Sequence, residues 1–489
     1  MDFIKNSFLI ADFKTTIRTK AAWHLAQSLT LNNLSFLNST FLAYLWHSEK
    51  ASFGMKICQS IFGQRANLGN PVKLGFWRMN VLLISILFWA SQVAAQTQPG
   101  SASDSDEPYR ATSASAMDGY ILVDFYTVTL TLPVIPKIGM SLPKEMNDEA
   151  YRNIYAHFES TAYHPFLKKL GDYRRGMSIG DWHFYLILAE YSEFAFKDQG
   201  GDFPILFQWF ILRKSGIDAR LMKAAGHLFL NVRTEDIEFG FYLMEQTAQK
   251  FANLTARRDG LKLDNLAGTM SAAMVDGADM PFTMRMSQMP RLLVTDTVER
   301  LIEFTHKGKA HRVKVKLNKN WLQVMDDFPY YNQKSYFEVG MSREAENSLL
   351  PALRKLIEYK SDVEKVEFLL SFTRTAFFYK EDAGRYGKEK PMTPEQTLYH
   401  SYSDCEDRAA LFFYLCRKLM GLPEIVLDFE THVGCAVALE GVTGDYYKYK
   451  GKKFIYCEPT GPQDILKPGE MWEKVKAQKA SILFEYLPE

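Results

Sequence analysis

Ser401-Tyr402-Ser403-Asp404-Cys405-Glu406-Asp407-Arg408-Ala409-Ala410-Leu411-Phe412 sets a thiol at the start of an apolar helix. Ser403 followed three residues later by Glu406 reads as a capping box. Ala409, Phe412, Phe413, Cys416, Leu419 and Met420 then recur at helical spacing until Gly421 and Pro423 end the run. Cys405 thereby falls in the first turn, among backbone N–H groups that no helical carbonyl accepts. The positive end of the helix dipole favours thiolate over thiol, which is expected to bring the group down from about 8.5 toward roughly 3.5 to 7.5. A cysteine so placed is a candidate nucleophile.

Two later segments carry what such a nucleophile needs. Thr431 to Leu439 reads as a buried strand with His432 near its start, and Lys453 to Pro462 reads as the next strand, ending at a turn. Gly441, Gly444 and Gly451 mark a hairpin-like connection between them. If the two strands pair antiparallel, His432 and Glu458 face the same side, and the carboxylate orients the imidazole that activates Cys405. Cys416, Cys435 and Cys457 read as small core residues, with a diagonal approach of Cys435 and Cys457 on the sheet face away from the site left open. Cys and His are not spaced as zinc ligands, and there is no acidic loop of the EF type, so neither metal nor cofactor is expected.

The order Cys405, His432, Glu458, the Asp-Cys-Glu-Asp-Arg-Ala-Ala-Leu-Phe helix start, the His-Val-x-x-Ala-Val strand and the acid-Pro-Thr turn resemble the transglutaminase-like superfamily of papain-fold cysteine enzymes, in its bacterial secreted branch. The similarity runs from about Glu344 to the C-terminus. It implies an α+β fold with a papain-like domain there, and amide chemistry through a thioester, as a peptidase, amidase or transamidase. It also implies a peptide, protein or cell-wall peptide as substrate. Two positions depart from the pattern: Glu458 stands where Asp is usual, and Gly434 stands where a bulky residue often follows the histidine. The first leaves a triad that a longer side chain still reaches. The second predicts an unusually open or reshaped cleft. The competing class is a catalytically inactive binding or scaffold protein of the cell envelope.

Near the start of the chain, Lys73 and Arg78 precede an apolar run from Val81 to Trp89, and Val93-Ala94-Ala95 follows before Gln96. This is the layout of a secretory signal peptide over 79–95, so residues 1–78 are expected to lie outside the mature protein and Met79 to be the true start. The apolar run is short for a spanning helix, which needs about 20 residues. Removing 1–95 leaves 58 − 9 = 49 basic against 54 acidic (57 − 3) residues. A slightly acidic chain without a basic aromatic stripe excludes a nucleic-acid partner, and the expected location is periplasmic or secreted.

Residues 96–117 are rich in Ser, Asp, Gly and Pro and read as a flexible linker. Tyr120 to Leu132 reads as β-rich and Asn147 to Lys197 as helical. A β-rich connecting region over 266–343 contains a hairpin from Val298 to Leu317 around Gly308, and Ser361 with Glu364 forms a capping box before a further helix. The first half holds a shadow of the second: Gly216 matches Gly421 and His227 matches His432 at one offset, 205 residues (421 − 216 and 432 − 227). The same offset lays Gly200 on Cys405. Residues 118–265 are therefore read as a degenerate copy that lacks the nucleophile, and 344–489 as the catalytic domain.

Overall fold

Helix-forming and strand-forming runs alternate along the chain, and in the computed structural model they make a mixed α+β fold with curled, half-barrel sheets. The structure describes residues 112–136, 139–143, 145–224, 226–261, 269–271, 276–286, 289–382, 390–461 and 466–488. The expected signal peptide, the stretch ahead of it and the linker up to residue 111 lie outside these residues.

The described part opens with an antiparallel sheet of β1 (Thr112–Met117), β2 (Tyr120–Phe125) and β3 (Val128–Pro133), in that order. β1 corrects the reading of a flexible linker through residue 117. Its Thr-Ser-Ala-Ser-Ala-Met sequence has the composition of a linker, but it pairs along its whole length with β2, from Thr112 opposite Phe125 to Met117 opposite Tyr120. Partner strands, not intrinsic preference, decide such a segment.

Four helices follow, α1 (Asp148–Glu159), α2 (His164–Met177), α3 (Asp181–Phe196) and α4 (Phe203–Lys214). α3 and α4 are apolar nearly all round and buried nearly all round, as a helix without a polar face must be. α3 packs against α4 and the first sheet, and α4 covers a second sheet built from β4 (Ala219–Ala224), β5 (His227–Arg233), β6 (Leu243–Gln246) and β7 (Gln249–Asn253). After the short α5 (Leu254–Arg258), the edge strand β8 (Thr269–Met270) completes it in the order β6-β7-β5-β4-β8, all antiparallel. Because β8 belongs to this sheet, the boundary expected after residue 265 cuts through it.

β9 (Thr297–His306) and β10 (Lys309–Asn318) form the expected hairpin, turning at Lys307 and Gly308 with φ of 47° and 73°. Left-handed backbone at both central residues matches the right-handed twist of the flanking strands. The chain then continues as α6 (Lys319–Asp327) and α7 (Ser335–Glu338), so the connecting region is helical as well as β. Next come α8 (Arg343–Ile357) and α9 (Asp362–Thr375), and α9 starts at the expected Ser361 and Glu364 capping box. The elements that carry the site follow: β11 (Phe378–Tyr379), α10 (Pro394–Tyr399), β12 (Tyr402–Ser403) and α11 (Cys405–Leu419).

The last sheet contains β13 (Glu424–Phe429), β14 (His432–Val437), β15 (Tyr446–Tyr449), β16 (Lys452–Cys457) and, after the short α12 (Glu473–Lys476), β17 (Ser481–Tyr486). Its order is β15-β16-β14-β13-β17. Period-two alternation divides its residues. Val426, Cys435, Val437, Ile455 and Cys457 pack with Phe412, Phe413 and Cys416 of α11, whereas Leu427, Phe429, Ala436, Phe454 and Tyr456 form a separate core on the opposite face.

The two five-stranded sheets share one strand order, and their central pairs coincide in register. Ala219 opposes Val232 and Ala224 opposes His227; 205 residues later (432 − 227), Glu424 opposes Val437 and Phe429 opposes His432. The likeness stops at the helix start. α11 begins at Cys405, but Gly200 lies in the turn ahead of α4, with φ 100°, and His227 is exposed.

Candidate active site

The helix that carries Cys405 is capped one residue later than its sequence suggests. Asp404 is the cap, and its side chain and that of Asp407 form the capping box, with the Asp404 N–H donating to Asp407 Oδ2 at 3.2 Å. Ser403 belongs to β12, and its hydroxyl instead accepts from Arg408 Nε at 2.9 Å. Asp caps a helix as well as Ser does, so two adjacent cappers leave the choice to tertiary contacts. Cys405 becomes the first helical residue. Its own N–H and that of Glu406 are helix-start donors that no intrahelical carbonyl accepts.

The thiol is half-buried and donates to Glu406 Oε2 at 2.9 Å. Burial pushes it well up from the ordinary thiol range, and the charge and hydrogen bond of Glu406 and the charge of Asp404 push the same way. This reverses the expected depression. A helix start contributes about half a positive charge, and here it faces more than one carboxylate. The opposing influence is the backbone N–H of Val433, the residue after His432, which favours the thiolate. β14 thus meets the sulfur through that N–H, and among the described residues no hydrogen bond joins Cys405 to His432.

His432 and Glu458 come together as their strands predict. β14 and β16 pair antiparallel, with Cys435 opposite Cys457, and His432 Nε2 lies 2.9 Å from Glu458 Oε2. The direct opposition of Cys435 and Cys457 corrects the diagonal approach considered above; both thiols are free and buried, on the face covered by α11. The imidazole is flanked by the rings of Phe429 and Trp472, with centroids at 6.2 and 5.9 Å. Glu458 is fully buried. Burial alone would raise its carboxyl, but His432, the Tyr456 hydroxyl and the Thr460 N–H outweigh it and hold the group below the usual carboxylate range. Tyr456 Oη donates to Oε2 at 2.6 Å, and the Thr460 N–H donates to Oε1 at 2.8 Å.

Residues that sequence reasoning missed hold this acid in place. Arg374 of α9 donates through Nε to the Glu458 carbonyl at 2.7 Å, and Thr373 Oγ1 donates to the Pro459 carbonyl at 3.2 Å. Arg408 of α11 donates to the Thr460 carbonyl at 2.8 Å. Both guanidinium groups are buried, and each donates to a backbone carbonyl of the acid-Pro-Thr turn. An arginine inside an apolar helix run was the available signal for Arg408; Arg374 had none.

Gly434 does not open the site. A Cβ at this position would stand 2.8 Å from Tyr456 Oη and 2.9 Å from its ring, so the phenol already fills the space. The carboxylates of Asp382, Asp404 and Glu406 gather beside Cys405, each placing one oxygen within 4.8 Å of the others. No family model, curated protein or solved structure matches the chain.

Proposed function

We propose that the chain is a secreted or periplasmic cysteine-dependent enzyme of amide bonds, with a transglutaminase-like, papain-like C-terminal domain. The observation that carries this reading is the pairing of a buried, negatively charged Glu458 with His432 on the strand whose next N–H meets the Cys405 sulfur. Attack begins when the thiol leaves Glu406 and gives its proton to His432. The Cys405 sulfur then adds to a substrate carbonyl while the N–H groups of the first helical turn receive the developing oxyanion. His432 returns the proton to the departing amine, the C–N bond breaks and a thioester remains. Water or a second amine resolves it, giving hydrolysis or transamidation. Glu458 keeps the imidazole oriented throughout.

A second reading rests on a specific observation, the thiol bonded to Glu406 in place of His432. In that reading the same fold binds a peptide or protein without turning it over. The two separate on peptide libraries and cell-wall peptides incubated with the parent and with Cys405→Ala. The enzyme reading expects cleaved or cross-linked products from the parent, none from the variant, and uncleaved substrate retained by the variant. Identical outputs from the two proteins contradict it and leave binding alone.

A further inference from the structure

β15 and β16 meet in a two-residue turn at Lys450 and Gly451, with φ of 45° and 77°. The register sets Lys448 opposite Lys453 and Tyr449 opposite Lys452, and no acidic residue occurs from Tyr446 to Cys457. Lys450 is held by Glu485 at 2.6 Å, and the neighbouring Asp445 is taken by Lys476 at 2.8 Å. Lys448, Lys452 and Lys453 are exposed and meet no carboxylate among the described residues. Lys453 Nζ donates to the Val442 carbonyl at 3.3 Å and stands 4.7 Å from the centre of the Tyr446 ring. In the sequence this stretch reads as part of a glycine-marked connection. Pairing turns it into a compact basic and aromatic tip, too short for the stripe that marks a nucleic-acid partner.

Like charges directly opposite on paired strands are destabilising, and no described carboxylate offsets Lys448 and Lys453. Lysine on an edge strand guards against pairing with another chain. That accounts for Lys448 on β15, the sheet edge, but not for Lys452 and Lys453 on β16, which has a strand on either side. Beyond residue 95 acidic residues outnumber basic ones, 54 to 49, so the tip is a local reversal of charge that orients the molecule toward an anionic partner.

The shape of the tip selects the kind of partner. Lys448 and Lys453 project from one face with Tyr446, and Lys452 projects from the other beside Tyr449. A linear polyanion lying along one face meets only part of this set, whereas a charged plane met end-on by the tip meets all of it. Tyr446 is 46% exposed, and a tyrosine suits a membrane–water interface, where its ring is in apolar surroundings and its hydroxyl is wet.

We infer that the hairpin of β15 and β16 docks the protein on an anionic phospholipid surface. It is distinct from the thiol, the imidazole and Glu458, and it docks whether or not Cys405 turns over substrate. The tip lies at the opposite end of β16 from Glu458, seven residues along the chain (458 − 451), so docking holds His432 and Glu458 roughly 20 Å from the headgroups.

The test is sedimentation of the full chain with phosphatidylcholine vesicles and with mixed phosphatidylcholine and phosphatidylglycerol vesicles. Binding is read as the ratio of the two partition coefficients, so that contributions indifferent to lipid charge cancel. The ratio is expected to lie well above unity and to fall toward unity at high salt. Lys448→Ala and Lys452→Ala should each lower it about fivefold, and the two combined with Lys453→Ala about a hundredfold, at roughly fivefold per lysine near the surface. Glu485→Gln, which frees Lys450, should raise it, and Lys316→Ala on the exposed face of β10 should leave it unchanged, as should Cys405→Ala. A ratio near unity for the parent, or one that the hairpin lysines do not alter, overturns the proposal. Lysine-dependent binding of a DNA oligonucleotide with no preference for phosphatidylglycerol also overturns it and assigns the tip to a linear polyanion. These readouts require no turnover, so their failure is distinct from failure of the enzyme reading.

Discussion

The phenol of Tyr456 occupies the place of a side chain at Gly434: a Cβ on the glycine would meet Tyr456 Oη at 2.8 Å. The same hydroxyl donates to Glu458 Oε2 at 2.6 Å. Gly434 and Glu458, which read as two separate departures in the sequence, are therefore joined through one tyrosine. The glycine makes room, the phenol enters, and the carboxylate gains a buried donor beside its imidazole. Gly434→Ala should destabilise the fold by about 1–3 kcal/mol through overpacking, and its cost should largely disappear in a Tyr456→Ala background. Chemical denaturation of the two single variants and the double variant measures the coupling. Additive costs would separate the two positions.

Tyr456→Phe removes only the hydroxyl, leaving Glu458 with His432 and the Thr460 N–H. Loss of a hydrogen bond to a buried charge should cost about 1.5–3 kcal/mol of stability while the fold is retained. Thermal melts and denaturant titrations of parent and variant give the figure; an unchanged stability would mean that the bond contributes nothing.

Glu406 raises the thiol through its charge and its hydrogen bond, second only to burial. Removing a neighbouring negative charge favours the thiolate, so Glu406→Gln should move the pH midpoint of Cys405 alkylation downward. Peptide mapping after iodoacetamide treatment across pH reads the midpoint. A midpoint that stays in place or rises would remove Glu406 as the restraint.

Stability should fall as pH rises from about 5 to about 8. The buried Glu395 carboxyl is pushed up to about 7, chiefly by burial, against the N–H groups of Asn318 and Ser342 that favour its charge, and burial likewise pushes Asp327 up to about 6. A carboxyl with a raised folded value binds its proton more tightly in the native state, so stability is lost as pH rises from the unfolded value toward the folded one. At about 1.4 kcal/mol per pH unit, Glu395 alone accounts for at most about 3 kcal/mol. Glu458 has the opposite sign, and its contribution disappears only in acid, as pH falls through its lowered value. Melting at pH 5.5 and pH 8 checks the direction; equal or higher stability at pH 8 contradicts it.

Much of the scaffold was legible in the sequence because its signals are local. Apolar spacing marked α11, the Ser361 and Glu364 box marked α9, and Gly308 marked the turn of β9 and β10. The offset between Gly216 and Gly421 returned as matching register in the two central strand pairs. What escaped depends on partners distant in the chain. β1 is a strand because β2 lies beside it, and Arg374 reaches the Glu458 carbonyl from a helix 84 positions away (458 − 374). The fit of Gly434 to Tyr456 needs the cross-strand register, which alternation alone does not set. The direction of the Cys405 shift reversed because the fold buries the thiol, and because Glu406 and Asp404, read as helix-start residues, add their charges beside it.

The most direct test of the account is the acylation of Cys405 by an activated peptidyl ester at neutral pH, followed by intact mass and peptide mapping in the parent and in His432→Ala. A single acyl adduct on Cys405 is expected in the parent, forming at least a hundredfold more slowly when the imidazole is removed, in line with the roughly 10²–10⁴-fold contribution of a positioned acid–base group. Equal rates in the two proteins, or an adduct on Cys416, Cys435 or Cys457 in place of Cys405, would contradict a Cys405 nucleophile activated by His432.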